Sequence, residues 1–354
     1  MINVSEPYLP DLNKYTRLVA EVWDNKIITN RGPLVQKLEA KIASFHNVSE
    51  VITVSNCTIG IELSLRILAK RPTGKVIVTP FTFKATICAI ENAGYQPVYC
   101  DIGENGNLDP EAVRKAMSAD TVAIVPVHVY GVPCDDVSLS EISHEYDVPI
   151  IYDAAHCFGV THNEKAIISW GDASVISLHA TKGVNCGEGG AVYFRDKRNY
   201  DKLKQISNFN LVNKYEKFSG TNAKLSELQG ALGLSVIEDI DLIFEKRRNI
   251  EAIYRAQLPN GINFIQHDAR VKNNNLYAPL KLSNSVKIEQ LAQFLQQQNI
   301  ASRRYFYPPM TTNCERALNL SLKILCIPCH PNLTKEETYY ICEKINAFAK
   351  EYSL

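Results

Sequence analysis

The sequence predicts an α/β protein: a mixed, mostly parallel sheet of seven strands in a large domain, followed by a smaller α+β domain. Three observations predict it. Short β-branched runs alternate with amphipathic stretches through residues 51–194, the pattern of strand–helix–strand crossovers. Most of these runs are near-continuously apolar, as strands covered on both faces are. After residue 200 the alternation gives way to a long helical stretch and then to short mixed elements. The boundary is expected near residue 235, giving a large domain over 1–235 and a small one over 236–354.

The strands are expected at VITVS (51–55), KVIVTP (75–80), PVYCDI (97–102), TVAIVPV (121–127), PIIYDA (149–154), ASVISLH (173–179) and GAVYF (190–194). Helical patterns at 58–69, 84–93, 109–117 and 136–146 separate the first five, so those strands run parallel. The helix after Asp109 is announced by an N-cap aspartate, a proline at the first helical position and a first-turn glutamate. Only ATKGVNCGEG separates the last two strands, too little for a crossover helix, so they should pair antiparallel. Residues 224–257 read as one long helix with room for a bend. Beyond it come a strand-like NNLYAPLKL (274–282), a helix over 288–299, the segment RRYFYPP (303–309) and a terminal helix from Lys335. The N-terminal twenty residues are a candidate to pack on this smaller domain.

The chain has 354 residues with 38 Lys+Arg against 38 Asp+Glu, 45% hydrophobic and 21% charged. That composition is globular rather than disordered. A net charge of zero argues against a polyanionic partner such as nucleic acid or an anionic membrane. No apolar run approaches the roughly 20 residues that span a bilayer, and MINVSEPYLPDLNKY has neither a basic nor an apolar leader region. Ten cysteines lie scattered in apolar segments, which suits reduced thiols in a cytoplasm. Cys326-Ile327-Pro328-Cys329-His330 spells a haem-attachment motif. Haem attachment needs export, and zinc would need a second ligand pair, so the segment reads as a buried connector before the last helix and no metal is expected.

Ligands of open α/β sheets bind at the carboxyl ends of the strands, so the chemistry is sought there. Ser55-Asn56-Cys57-Thr58-Ile59-Gly60 opens a helix after the first strand, either as an anion cup of backbone N–H groups or as an ordinary cap. It has neither the G-x-G-x-x-G of dinucleotide binders nor a P-loop lysine. Phe81 and Phe83 follow the second strand and suit either core or ring stacking. Asp153-Ala154-Ala155-His156 follows the fifth. A carboxylate ending an apolar run needs a cation or hydrogen-bond donors to be buried at all. Ser177-Leu178-His179-Ala180-Thr181-Lys182 follows the sixth, before Gly187-Glu188-Gly189-Gly190. A lysine for a Schiff base, an acid for a pyridinium nitrogen, a stacking ring and a phosphate cup together are the requirements of pyridoxal phosphate.

These stretches, with ITNRGPLVQKLE (28–39), PVHVYGVPCD (126–135), GTNAKLSELQGALG (220–233) and CIPCHPNLTKEE (326–337), resemble the sugar-nucleotide aminotransferases of the DegT/StrS family. The resemblance covers nearly the whole chain, in order. It implies the pyridoxal-phosphate-dependent transferase fold of type I, as in aspartate aminotransferase, and a homodimer whose active sites lie at the interface. It implies that Lys182 is the Schiff-base lysine and the catalytic proton carrier, and that Asp153 faces the pyridine nitrogen. His156 then lies beside the ring and Phe83 stacks on it. Cys57, Thr58 and Ser177 hold the phosphate, and Asn222 reaches it from the neighbouring subunit. Asn30, His179 and Tyr307 are the candidate substrate contacts. The implied reaction moves an amino group from L-glutamate to a keto-sugar nucleotide. The wording at SLHATK and RRYFYP points to dTDP-4-keto-6-deoxyglucose and an O-antigen precursor, with C3 amination of a 3-keto isomer or a UDP-linked sugar as the alternative. Lysine rather than histidine at 182 favours transamination over the dehydration of related enzymes. Two positions depart from the family pattern. Cys57 stands where a smaller residue is common. Lys224 replaces a frequent arginine and cannot offer its bidentate fork to a donor carboxylate.

Overall fold

The computed structural model describes residues 1–211, 220–265 and 268–352. Its central strands are β1 (Ile52–Val54), β2 (Lys75–Val78), β3 (Gln96–Tyr99), β4 (Thr121–Val125), β5 (Ile151–Asp153), β6 (Ala173–Ser177) and β7 (Gly190–Phe194). They lie in the order β1-β7-β6-β5 and β3-β2-β4. Parallel bridges Ile124–Ile150 and Val127–Asp153 join β4 to β5, making one seven-stranded layer. Only β7 runs against its neighbours, as the short connection from β6 predicts. The first six strands are two or three residues shorter than their apolar runs, whereas β7 spans its whole run, 190–194.

Helices cover both faces. They are α1 (Leu12–Asn25), α2 (Pro33–Phe45), α3 (Cys57–Leu68), α4 (Lys84–Asn92), α5 (Pro110–Ala116), α6 (Asp136–Tyr146), α7 (Arg198–Ile206), α8 (Glu227–Ile237) and α9 (Ile240–Gln257). One core sets Leu34, Leu38, Ile42 and Ala231 against Ile176 and Ala191 of the sheet. The opposite face packs Ile61, Leu65 and Ile90 on Val54, Val76 and Val175. The helix α2 starts at Gly32 with no local side-chain cap. Its orphan N–H groups at Leu34 and Val35 donate instead to the buried Glu227 carboxylate, at 2.8 and 3.0 Å.

The expected single helix over 224–257 is two. The chain breaks between α8 and α9 at Asp239, whose carboxylate accepts Tyr8 Oη at 3.0 Å and Lys14 Nζ at 2.6 Å. Partners from the N-terminal segment, invisible to local periodicity, fix that bend.

The C-terminal elements are β8 (Asn263–Phe264), β9 (Ala278–Lys281), α10 (Ser285–Gln297), α11 (Glu315–Lys323), β10 (Ile324–Ile327) and α12 (Lys335–Glu351). An antiparallel sheet β8-β9-β10 carries its own core, including Leu280, Leu291, Leu325, Ile341 and Phe348. The strand-like run at 274–282 forms β9 only over its second half, and Asn275 before it is left-handed (φ 51°). The Cys326–His330 connector begins inside β10, with both cysteines buried. The N-terminal twenty residues divide between the two regions. Ile2 bridges Ile300 and the Cys329 N–H donates to Val4, whereas α1 packs on α8. No helix among the described residues is long and apolar enough to cross a membrane.

Candidate active site

The carboxyl ends of β1, β2, β5 and β6 open into one cavity of about 780 Å³. Its far wall comes from the C-terminal third of the chain: Tyr277, Arg303, Tyr305 and Phe306. Cys57, Thr58, Phe83, Asp153, His156, Ser177, His179 and Lys182 all line it. Eight of the eleven residues singled out from the sequence therefore converge, although 125 positions separate Cys57 from Lys182.

Asp153 ends β5 and is 6% exposed. Its Oδ2 accepts the Thr86 hydroxyl at 2.7 Å and its Oδ1 accepts the Ala155 N–H at 3.0 Å. Thr86 is held in turn by Thr82, at 2.9 Å. Burial pushes the Asp153 pKa above the usual carboxylate range, against the pull of these donors and of the Lys182 charge. A carboxylate so placed, hydrogen-bonded to neutral donors in the cavity wall, is suited to face a cationic N–H of a bound group.

His156 is held in its neutral form, its pKa driven well below 6.5 by burial and then by the Lys182 charge. Its Nδ1 accepts the Tyr130 N–H at 3.1 Å, which leaves the proton on Nε2. The ring thus offers one N–H donor. Tyr130 adopts φ 55° in the turn that aims this amide.

Lys182 lies in a tight turn, its N–H donating to the His179 carbonyl at 2.8 Å. Its Nζ donates to Tyr277 Oη at 3.0 Å. Ser177 Oγ accepts the His179 N–H at 3.3 Å. The His179 ring pairs with Thr181 Oγ1 at 3.0 Å and stands 3.7 Å from Glu188.

On the same cavity lining, α3 presents the first-turn N–H groups of Cys57 and Thr58, which lie outside the helical ladder. The Cys57 thiol turns inward toward the Val175 carbonyl, at 3.7 Å, so only its backbone is offered. Gly190 makes this approach possible, because a Cβ there would stand 2.8 Å from Cys57 N. Phe83 sits at the head of α4, 58% exposed.

Three predicted residues lie elsewhere. Asn222 accepts from Lys224 Nζ at 2.7 Å, outside the cavity lining. Asn30 lines a separate cavity of about 70 Å³ that it shares with Lys224. Tyr307 is 45% exposed, with the Arg304 guanidinium 3.6 Å over its ring centroid. Conversely, sequence reasoning missed Thr86, Tyr130, Tyr277 and Arg303. The pair of threonines four apart, Thr82 just before α4 and Thr86 within it, was the only local signal for any of them.

Residues 12–346 match the profile of the DegT/DnrJ/EryC1/StrS aminotransferase family. The chain belongs to this family. It is 34% identical to a dTDP-4-amino-4,6-dideoxy-D-glucose transaminase of Shigella dysenteriae, over 97% of this chain and 98% of that one. A protein of the same description from Escherichia coli is 32% identical, with 95% of each chain covered. Among solved structures, DesI crystallised in the presence of its TDP-sugar product superposes with a TM-score of 0.94 at 28% identity, covering 99% of this chain and 93% of that one. This DegT/DnrJ/EryC1/StrS chain is thus an aminotransferase with the type I fold of pyridoxal-phosphate-dependent transferases.

Proposed function

We propose that the protein transfers an amino group from L-glutamate to a keto-sugar nucleotide, turning dTDP-4-keto-6-deoxy-D-glucose into dTDP-4-amino-4,6-dideoxy-D-glucose for a surface polysaccharide such as an O antigen. The observation that carries this reading is the convergence of Lys182, Asp153, His156 and the α3 N-terminus on one cavity, in a chain 32–34% identical to two transaminases of that product.

Pyridoxal 5′-phosphate fits these residues. Asp153, buried among neutral donors, would face its pyridine nitrogen. His156 Nε2–H would donate to its ring oxygen, and Phe83 would cover its face. The Cys57 and Thr58 amides, with Ser177, would take its phosphate. When bound, the cofactor supplies an electron sink for carbanion chemistry. The protein's own residues do the rest. Lys182, on the cavity lining, is the catalytic residue that would anchor the cofactor and carry the proton. Asp153 would keep the proton on the ring nitrogen, and the aromatic wall at Tyr305 and Phe306 would shield the site from water.

The active form is a homodimer in this reading, and the reaction is cytoplasmic. Asn222 stands outside its own chain's cavity, and Phe209 and Leu211 are more than half exposed, as residues meant for a neighbouring subunit would be. All ten thiols are unpaired, which suits a reducing compartment.

Incubation with glutamate and a panel of dTDP-, UDP- and GDP-linked keto sugars, with the new amine located by NMR, tests the assignment. The expected product carries nitrogen at C4 of a dTDP-linked sugar. Nitrogen at C3, or turnover only of a UDP-linked sugar, moves the assignment to the alternative substrates, and no turnover of any keto sugar refutes it.

A further inference from the structure

Tyr277 entered the site unannounced, 95 positions from its partner, and its hydroxyl makes the one side-chain hydrogen bond of Lys182 among the described residues. Resting on the proposed cofactor chemistry, we infer that Tyr277 is a positioning residue for Lys182, holding the amine at a fixed point on the cavity wall whenever it is not covalently engaged.

A transamination uses its lysine in two ways, first as a covalent anchor and then as a free amine that moves a proton. A free lysine side chain has about 2 kcal/mol of rotamer entropy to lose when it is fixed. A preset acceptor lowers that cost in the state where aim matters. With one N–H committed to Tyr277 Oη, a neutral amine keeps its lone pair for the proton it must take.

The phenol is itself held rigidly. Its ring meets His156 edge-on at 4.8 Å between centroids, Tyr305 at 5.2 Å and Tyr130 at 5.7 Å. The chain leading to it is clamped by consecutive asparagines. Asn273 Nδ2 donates to the Gly131 carbonyl at 3.1 Å. Asn274 Nδ2 donates to the His156 and Phe158 carbonyls at 2.8 and 2.9 Å. Asn275 Nδ2 donates to Glu251 at 2.9 Å. The loop that carries Tyr277 is thus fastened to the loop that carries His156, so the hydroxyl keeps its place relative to the strand-end residues. A residue that merely filled the wall would need the ring and not the oxygen.

The test compares full-length wild type, Tyr277→Phe and Tyr277→Leu. For Tyr277→Phe, kcat of each half-reaction should fall roughly tenfold with KM within about twofold, the size of one lost hydrogen bond expressed at a single step. Two further readouts separate positioning from packing: the midpoint of the pH titration of the visible cofactor band should move, and that band should form more slowly when pyridoxal phosphate is added back to stripped protein. Thermal stability should stay at the wild-type value in Tyr277→Phe and fall in Tyr277→Leu. A yellow, folded Tyr277→Phe with wild-type kcat, band titration and reconstitution rate overturns the inference alone. A wild-type protein that stays colourless with added cofactor overturns the proposed cofactor chemistry, and this inference with it.

Discussion

The two walls of the cavity are built in different ways. The sheet-side wall consists of residues at, or up to five positions beyond, the ends of buried strands, several of them held by short local bonds such as Ala155 N–H to Asp153 and His179 N–H to Ser177. The C-terminal wall arrives from residues 277–306 and is fastened across long sequence separations, by Asn274 to the His156 loop and by Tyr130 Oη to the Tyr305 carbonyl at 2.6 Å. The sheet side therefore inherits the rigidity of a core whose strand residues are almost wholly buried. The far side depends on a few polar fasteners. In the proposed function, chemistry concentrates on the first wall and aim depends on the second.

Four measurements press on that contrast. Lys182→Ala should cost the most: loss of the visible cofactor band and at least a roughly 10³-fold drop in kcat, as expected when a nucleophile and proton carrier are removed together. Residual transamination above a hundredth of wild type would move the chemistry off this wall. Asp153→Asn comes next, with kcat lower by roughly 10²-fold through loss of the charge proposed to face the cofactor, the scale of removing one preorganised electrostatic group. Because burial already raises the Asp153 pKa, the variant should fold at least as well as wild type, which a urea titration checks.

Asn274→Ala tests the far wall. It strips the buried carbonyls of His156 and Phe158 of a shared donor, so a loss of about 2–3 kcal/mol is expected, together with a higher KM. A change in kcat alone would mean that the fastener does not set substrate aim.

The smallest effect per step is acid sensitivity. His46 and His128 brace the sheet side: His46 accepts the Gly159 N–H at 3.0 Å, and His128 stacks on Tyr152 at 4.4 Å. Burial pulls their pKa values from 6.5 to about 4 and about 3. The unfolded chain therefore binds these protons first. Their contribution is complete above about pH 6.5 and is lost progressively as the pH falls toward the folded values, by up to about 1.4 kcal/mol per pH unit for each histidine. Urea midpoints measured from pH 7.5 to 4.5 should decline accordingly, and a flat profile would show that neither ring is buried neutral.

What could be read in advance follows the same division. Lys182, Asp153 and the Cys57–Thr58 helix start were visible because each follows a β-branched apolar run, and strand ends are where an open α/β sheet exposes polar groups. Reading them together as a cofactor site needed the family resemblance as well. Tyr277 was not visible as a site residue, because it sits in a stretch whose apolar spacing reads simply as strand. The break at Asp239 and the start of α2 at Gly32 were hidden for a related reason: Tyr8 and Lys14 hold the first, and Glu227, 193 positions away, caps the second.

The sequence by itself determined the alternation of strands and helices, the antiparallel return of the last strand in the sheet, and the identity of the lysine and aspartate at the strand ends. These are local properties, set by side-chain period and by how much chain a connection contains. Only the tertiary structure decided that Asn222, Asn30 and Tyr307 stand outside the cavity, that His156 carries its proton on Nε2, and that Tyr277 receives the amine of Lys182. Each of those depends on which group a buried donor or acceptor finds after the chain has folded, and no local pattern encodes that partner.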